Sequence, residues 1–286
     1  MTENTSVDAF IAWLRKWKGS ELDLYEVYTP QETEKMWEQT RQAADRVVPL
    51  MREEADIVLR HTCIELLGGG HTDKTRQALA DALSIPMAEG NYEAVFQHAM
   101  RDDEMLSREG FMKAAQDFLQ RHDLPVARAF LSKPWIERQY AGVRTGEEKH
   151  ALLRTLLNLQ HGDYWYHAAL KPAASLLEGL GAEGENMVRR LAQDTPHAHV
   201  VLNCVELLAE AAVEGVEDAL ADILRATEDD KLRDRMIPRV LGGCNHRRIL
   251  GHRGFVAAAR EWARKKSSPM MKHFLSRVQK EEEIGH

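Results

Sequence analysis

Hydrophobic residues recur at intervals of three and four positions along almost the whole chain. The first clear example joins Phe10, Trp13, Leu14 and Trp17, which fall together on one face of a helix. Such spacing is typical of amphipathic helices, which bury one apolar face and leave the other to solvent. The pattern therefore predicts an all-α protein.

Local signals divide the N-terminal half into helices. Pro30 stands at the first turn of a long helical stretch, in which Pro49 predicts a bend. Glycines 68–70 end that stretch, and Thr72 is a suitable N-cap for the next helix. Because these helices keep no fixed period, residues 1–145 are predicted to form an irregular helical region.

Beyond Gly146 the helical pattern repeats. Helix pairs begin at residues 149, 183 and 216. Each pair joins a leucine-rich first helix to an apolar second helix by a short turn. A single hairpin cannot cover its own apolar face, so neighbouring hairpins must stack to bury it. Residues 146–286 are therefore predicted to be stacked antiparallel helical hairpins, with a basic capping hairpin at 253–266 and 269–283.

This repeat resembles the HEAT-like class of α-helical repeats, most clearly over residues 149–243. The resemblance implies a solenoid whose extended surface binds other macromolecules. An irregular helical bundle is the alternative, because any antiparallel bundle with short loops contains two-helix units of similar length. The regions 1–145 and 146–286 are either two domains or parts of one continuous domain.

Features of the whole chain indicate a cytoplasmic protein. No apolar stretch approaches the roughly 18 residues needed to span a bilayer. The first basic residue of the chain is Arg15, so the N-terminus lacks the order of a secretion signal, in which basic residues precede an apolar stretch. Cys63, Cys204 and Cys244 are widely separated and odd in number, which suits reduced thiols. We expect no membrane contact.

Charge is unevenly distributed within a net charge of -7. Residues 182–230 carry twelve acids against three arginines, whereas residues 231–280 carry fourteen lysines or arginines against two acids. Charge segregation of this size indicates either that the protein binds a charged partner or that the acidic and basic segments neutralise each other within the fold. The candidate acidic face is Glu206, Glu210, Glu214, Glu217, Asp218 and Asp222. The candidate basic patch is Arg233, Arg239, Arg247, Arg248, Arg253, Arg260, Arg264 and Lys265.

The densest aromatic cluster lies at the turn of the first clear repeat. Its members are His161, Tyr164, Trp165, Tyr166 and His167. Aromatic side chains with polar tips favour interfaces and ligand pockets, and they also pack between adjacent hairpins. The cluster is therefore a candidate binding region, with packing as the alternative.

No recognised chemical motif accompanies these sets. Cys244, His246 and His252 are a candidate zinc-ligand set, but their spacing is not that of a known site and arginines surround them. The chain has no Gly-x-Ser-x-Gly elbow and no His-Glu-x-x-His helix. We therefore assign no catalytic residue, no metal and no cofactor, and the sequence favours a protein that is not an enzyme.

Two functions follow from these observations. The first is a non-catalytic scaffold that binds another protein, as an adaptor or a neutraliser of a toxin. The second is a HEAT-like protein that binds nucleic acid through its basic C-terminal segment. A third, weaker interpretation places an enzyme or cofactor pocket at the aromatic cluster or at the turn that holds Cys244.

Overall fold

The computed structural model of the chain describes residues 3–16, 29–265 and 269–284. These residues are helical apart from short turns and loops. The predicted fold class, all-α with stacked antiparallel helical hairpins, is confirmed. The chain divides into two compact units, Met1–Lys133 and Pro134–His286. Trp17, assigned above to the first helix, lies outside the described residues.

The N-terminal unit is a set of helical hairpins with uneven spacing. Its helices are α1 (Glu3–Lys16), α2 (Pro30–Glu53), α3 (Ile57–Gly70), α4 (Asp73–Ala82), α5 (Glu89–Arg101), α6 (Asp103–Ser107), α7 (Glu109–Leu119) and α8 (Pro125–Gly142), the last of which crosses the division between the units. Helices α2, α4 and α7 pack side by side in one layer, and α3 packs against α5 in a second layer. The hairpins begin at residues 30, 73 and 109, and this unevenness hides the repeat in the sequence.

Helix ends in this unit are set by side-chain and backbone caps. Helix α2 continues through Pro49 and ends at Glu53, and Asp56 then caps α3 by accepting a hydrogen bond from the Leu59 amide at 2.8 Å. Helix α3 continues through the three glycines that were predicted to end it and stops at Gly70, where the left-handed His71 follows. Thr72 caps α4, as predicted.

The remaining glycines of this helix end allow close packing. A Cβ atom on Gly69 would lie 2.0 Å from Trp37 Nε1, and one on Gly68 would lie 2.2 Å from His98 Nδ1. Neither distance is compatible with a side chain. Both positions therefore need glycine so that the rings from α2 and α5 can reach the backbone of α3.

The C-terminal unit contains the regular repeat. Its helices are α9 (Gly146–Leu157), α10 (Lys171–Asp194), α11 (Ala198–Glu210), α12 (Val216–Ala226), α13 (Asp230–Gly242), α14 (His246–Gly251), α15 (Arg253–Lys265) and α16 (Pro269–Ile284). Helix α10 changes direction at Gly181, whose φ of 57° and ψ of -136° are not helical. Its two halves therefore belong to successive hairpins.

These hairpins stack in two layers. The first-helix layer consists of α9, the second half of α10, α12 and α15, and the second-helix layer consists of the first half of α10, α11, α13 and α16. Hydrogen bonds join neighbouring hairpins across 34 residues: the amides of Ala212 and Cys244 donate to Glu178 and Glu210, and the Asn245 side chain donates to the Ala211 carbonyl. The bonds repeat the period that the sequence predicts.

A buried polar side chain ties the first two hairpins together. Asn203 on α11 is 4% exposed, and its Nδ2 donates to the carbonyls of Leu157 and Leu159 at 3.0 and 3.1 Å. These carbonyls lie at the end of α9, where the helix itself leaves them without a partner. Of the helices that the structure describes, none has the length and apolar content required to cross a membrane.

Candidate functional site

A groove of about 670 Å³ lies on the second-helix layer of the C-terminal unit. Residues from the turn after α9 and from α11, α13 and α16 line it. Tyr166 and Met270 are its aromatic and thioether groups. Its charged lining residues are Asp163, Glu206, Glu210, Asp234, Arg235 and Arg239. This feature, called here the second-helix groove, contains members of all three residue sets predicted from the sequence.

An unusual backbone turn places Tyr166 at the groove. Residues Tyr166–Leu170 form a π-helical turn before α10 begins. The preceding Trp165 is fully buried, and its Nε1 donates to the Leu156 carbonyl at 2.8 Å. Because Trp165 is anchored in the core, Tyr166 lies on the outside with 45% of its surface exposed. Turns of this kind are rare and occur frequently at functional sites.

Glu206 is the most buried acid of the groove, with a side chain that is 15% exposed. Burial raises the pKa of Glu206 to about 7; Arg239 opposes this shift, and the carboxylates of Asp163 and Glu210 add to it. Its Oε2 atom is buried and accepts no hydrogen bond within the described structure. Arg239 Nε lies 3.9 Å from that atom, which is an ion-pair contact but too long for a hydrogen bond.

Two further contacts set the charge of the groove. Arg239 directs its other nitrogens to the Asp163 carboxylate and to the Arg235 carbonyl, and its Nε, which also has no hydrogen-bond partner, lies 3.9 Å from Glu206 Oε2. Glu210 accepts hydrogen bonds from the amide and the thiol of Cys244, both at 2.9 Å, and this raises the pKa of the thiol. Burial raises the pKa of Tyr166, and the neighbouring Glu210 carboxylate adds to the effect.

The candidate acidic residues occupy different parts of the unit. Glu206 and Glu210 belong to the second-helix layer, and Glu214 lies exposed in the loop after α11. The other three belong to α12 in the first-helix layer. Glu217 forms an ion pair with Arg248 at 2.6 Å and Asp222 forms one with Arg189 at 3.0 Å, whereas Asp218 lies 3.4 Å from the His252 ring. Glu217 is only 8% exposed. Glu217 and Asp222 are therefore occupied by arginines of their own unit.

Part of the candidate basic patch is also occupied within the fold. Arg233 lies over the Trp262 ring at 5.7 Å and pairs with Asp230 at 3.6 Å. The Trp262 indole donates to Asp230 at 3.1 Å, and the residue is 4% exposed. This tryptophan is therefore not placed to stack on a base. Arg239 and Arg248 form the ion pairs already described.

The remaining basic residues are exposed. Arg247 lies on α14, and Arg253, Arg260 and Arg264 follow one another along one face of α15 at intervals of seven and four residues. We call the last three the α15 stripe. The side chain of Lys265 lies outside the described residues.

The candidate aromatic cluster divides between core and surface. Trp165 and His161 are buried, at 0% and 5% exposed, and Tyr164 is half-buried. Tyr166 and His167 are exposed, and their rings meet edge to face at 5.5 Å. Only Tyr166 lines the second-helix groove.

The residues of the candidate zinc turn have separate partners. Cys244 contacts Glu210, His246 Nδ1 lies 3.0 Å from the Gly243 carbonyl, and His252 pairs with Asp218. Among the described residues, no three histidine, cysteine or acidic side chains are grouped as metal ligands.

Several groove residues lie outside the residue sets predicted from the sequence, among them Asp163, Asp234, Arg235 and Met270. Asp163 lies inside the aromatic run, so its proximity to Tyr166 is visible in the sequence. Its contact with Arg239 joins positions 76 residues apart, and no local signal marks such a pair. Met270 reaches the groove from the last hairpin, where the sequence shows only the start of a helix.

Comparisons with known proteins give the chain no family. No protein-family model matches it, and no curated protein sequence does either. The solved structure of human deoxyhypusine hydroxylase in complex with glycerol is similar at 13% identity and a TM-score of 0.40, over 99% of this chain and 98% of that one. A computationally designed self-assembling cyclic homo-oligomer aligns over 98% of this chain and 89% of its own at 11% identity, with a TM-score of 0.15. Likeness at this level transfers no activity.

Proposed function

We propose that this chain is a non-catalytic binding protein that holds a segment of another protein in the second-helix groove. The observation that carries the proposal is the exposed ring of Tyr166, held at the rim of a groove whose acids outnumber its bases. Exposed tyrosines beside a concave surface are enriched at protein interfaces.

Charge in the groove supports a protein partner over a nucleic acid at this place. Four carboxylates and two guanidinium groups line it among the described residues, so phosphate groups would be repelled. In the first-helix layer, by contrast, Glu217 and Asp222 of α12 are already paired with arginines. In the groove a single guanidinium group, that of Arg239, is shared by Asp163 and Glu206, so negative charge is left for a partner.

Site-specific photo-crosslinking tests this proposal. A photoreactive phenylalanine replaces Tyr166 in one variant and Tyr140 in a control, since the two tyrosines are 45% and 41% exposed and only Tyr166 lines the groove. We expect one protein species to be captured from nuclease-treated lysate at position 166 and not at position 140. Equal capture at both positions, or none at position 166, would contradict the proposal.

The α15 stripe supports a second candidate function, the binding of a nucleic acid. Arg253, Arg260 and Arg264 are exposed along about three turns of one helix, which suits contacts with successive phosphates. Fluorescence anisotropy with labelled duplex and single-stranded DNA tests it over a range of salt concentrations. Binding that weakens steeply with salt and is lost when the three arginines become glutamine would support this function. Absent binding, or binding indifferent to salt, would dismiss it.

A further inference from the structure

The second-helix groove contains an acceptor that the protein itself does not satisfy. Glu206 Oε2 is buried and makes no hydrogen bond in the described structure, although Arg239 lies close by. A buried carboxylate oxygen without a donor raises the free energy of the folded protein. A ligand that brings a donor to the exposed part of this carboxylate would therefore gain more than it would at a solvated acid.

The surroundings of Glu206 specify the charge of that donor. The ionisable groups that share the groove with it are Asp163 and Tyr166 from the turn before α10, Glu210 from the same helix, and Asp234, Arg235 and Arg239 from α13, while Cys244 bonds to Glu210 from the following loop. The acids outnumber the arginines, and Arg239 is already committed to Asp163. A cationic donor is thus favoured over a neutral or anionic one.

The shape of the groove indicates an organic cation. No set of three metal ligands exists among the described residues, which leaves a divalent ion without coordination. A volume of about 670 Å³ holds more than one side chain. Tyr166 and Met270 supply an apolar wall, on which an alkyl stem or a flat guanidinium group can lie.

We propose that the groove binds an arginine side chain of a basic segment of the partner, and we call this site the arginine seat. This proposal rests on the proposed protein-binding function. The guanidinium donates to the exposed part of the Glu206 carboxylate, and its stem lies along Tyr166. Arginine suits the place better than lysine because its planar group offers several donors in fixed directions and stacks on aromatic rings. Four carboxylates around it also disfavour any acidic segment.

Peptide binding to the purified full chain tests the arginine seat. Three labelled peptides of equal length alternate alanine with arginine, lysine or citrulline, and fluorescence anisotropy measures their affinities. We expect the arginine peptide to bind most tightly and the neutral citrulline peptide to bind at least about tenfold more weakly, since charge-assisted hydrogen bonds are about twice as strong as neutral ones. Equal binding of the arginine and citrulline peptides, or no arginine-peptide binding by the folded chain, would overturn the seat.

Matched variants locate the binding. Glu206→Gln keeps the size of the side chain, and Glu214→Gln removes the same charge from an exposed loop outside the groove. We expect Glu206→Gln to weaken the arginine peptide by about tenfold and Glu214→Gln to weaken it by less than about twofold. If both variants lose the same affinity, the peptide responds only to the overall charge of the protein, and the arginine seat is refuted.

A second pair of variants does not touch a buried group. Tyr166→Ala should weaken the arginine peptide several-fold through lost stacking, whereas Tyr140→Ala, at a similarly exposed tyrosine, should not. Equal effects at the two tyrosines would count against the seat.

The two proposals fail in different ways. If the crosslink at position 166 persists undiminished in the Glu206→Gln background, partner binding stands and the arginine seat is refuted. If the arginine peptide binds through Glu206 but no protein is captured at position 166, the seat stands and the proposed function falls.

Discussion

Replacing Glu206 with glutamine should stabilise the protein, and the gain should depend on pH. Burial raises the pKa of Glu206 from 4.5 to about 7 in the folded chain. Between pH 4.5 and about pH 7, Glu206 of the folded protein holds a proton that the unfolded chain has already released, so the free energy of unfolding falls as the pH rises. Above about pH 7 the carboxylate must ionise in its buried position, and the full cost is present.

The size of the effect follows from the shift. A difference of roughly 2.5 pKa units corresponds to about 3 kcal/mol at about 1.4 kcal/mol per unit. Because the Glu206 side chain is only 15% exposed, solvent screens its charge weakly, and about 3 kcal/mol is the upper value of the cost. Glu206→Gln should therefore raise the free energy of unfolding by up to about 3 kcal/mol near pH 8, and by close to zero near pH 4.5.

Urea unfolding of the wild type and the variant measures this gain. Transitions are recorded at several values between about pH 5 and pH 8 by tryptophan fluorescence, since Trp165 and Trp262 are buried in the same unit. Glu214→Gln, at an exposed acid, is the control and should change stability by less than about 0.5 kcal/mol. A Glu206→Gln variant that is less stable than wild type at pH 8, or equally shifted at every pH, would refute the reasoning.

Three further outcomes are expected. The affinity for the arginine peptide should fall by up to about tenfold per pH unit below pH 7, because protonated Glu206 carries no charge. An affinity that stays constant from pH 6 to 8 in anisotropy titrations would contradict this. Gly69→Ala should cost about 1 to 3 kcal/mol in thermal or urea unfolding by displacing the packed indole, whereas Gly90→Ala, with open space around its Cβ, should cost nothing. Arg248→Ala should lower the free energy of unfolding by about 1 to 3 kcal/mol because it leaves the buried Glu217 carboxylate unpaired. Arg247→Ala, at an exposed neighbour, should leave stability unchanged, and equal effects of the two variants would argue against the Arg248–Glu217 ion pair.

Helical features were predictable from the sequence because they depend on near neighbours. Apolar residues three and four positions apart share a helix face wherever the chain lies. Thr72 caps α4 through an amide only three residues away. The helix 216–226 occurs in the structure at the predicted bounds, between a glycine and a polar turn.

Some helix ends depart from the prediction for identifiable reasons. The first helix of the first repeat begins at Gly146 and ends at Leu157, earlier than the pattern suggests, because Thr145 supplies the cap. The two helices expected on either side of Gly181, by contrast, are present as the two halves of α10, which the non-helical backbone of Gly181 separates. In the N-terminal unit, hairpins of unequal length pack in layers although their sequences show no period.

The placement of the charged residues required the tertiary structure. A run of acids in the sequence contains residues of two successive helices, and the two-layered stack sends α11 and α12 to different layers. Glu206 thus meets Arg239 and Asp163, while Glu217 meets Arg248. Net charge along a segment cannot distinguish an acid that is already paired from one that lines an open groove.

By itself, the sequence determined the fold class, the repeat of the C-terminal unit and the Thr72 cap of α4, because each depends on residues within a few turns of one another. Only the tertiary structure decided which charges are paired, which tyrosine is exposed and which carboxylate is buried without a donor. Those properties depend on contacts between residues as far apart as Asp163 and Arg239. Burial of a polar group is a property of its surroundings, and its surroundings exist only after the hairpins have stacked.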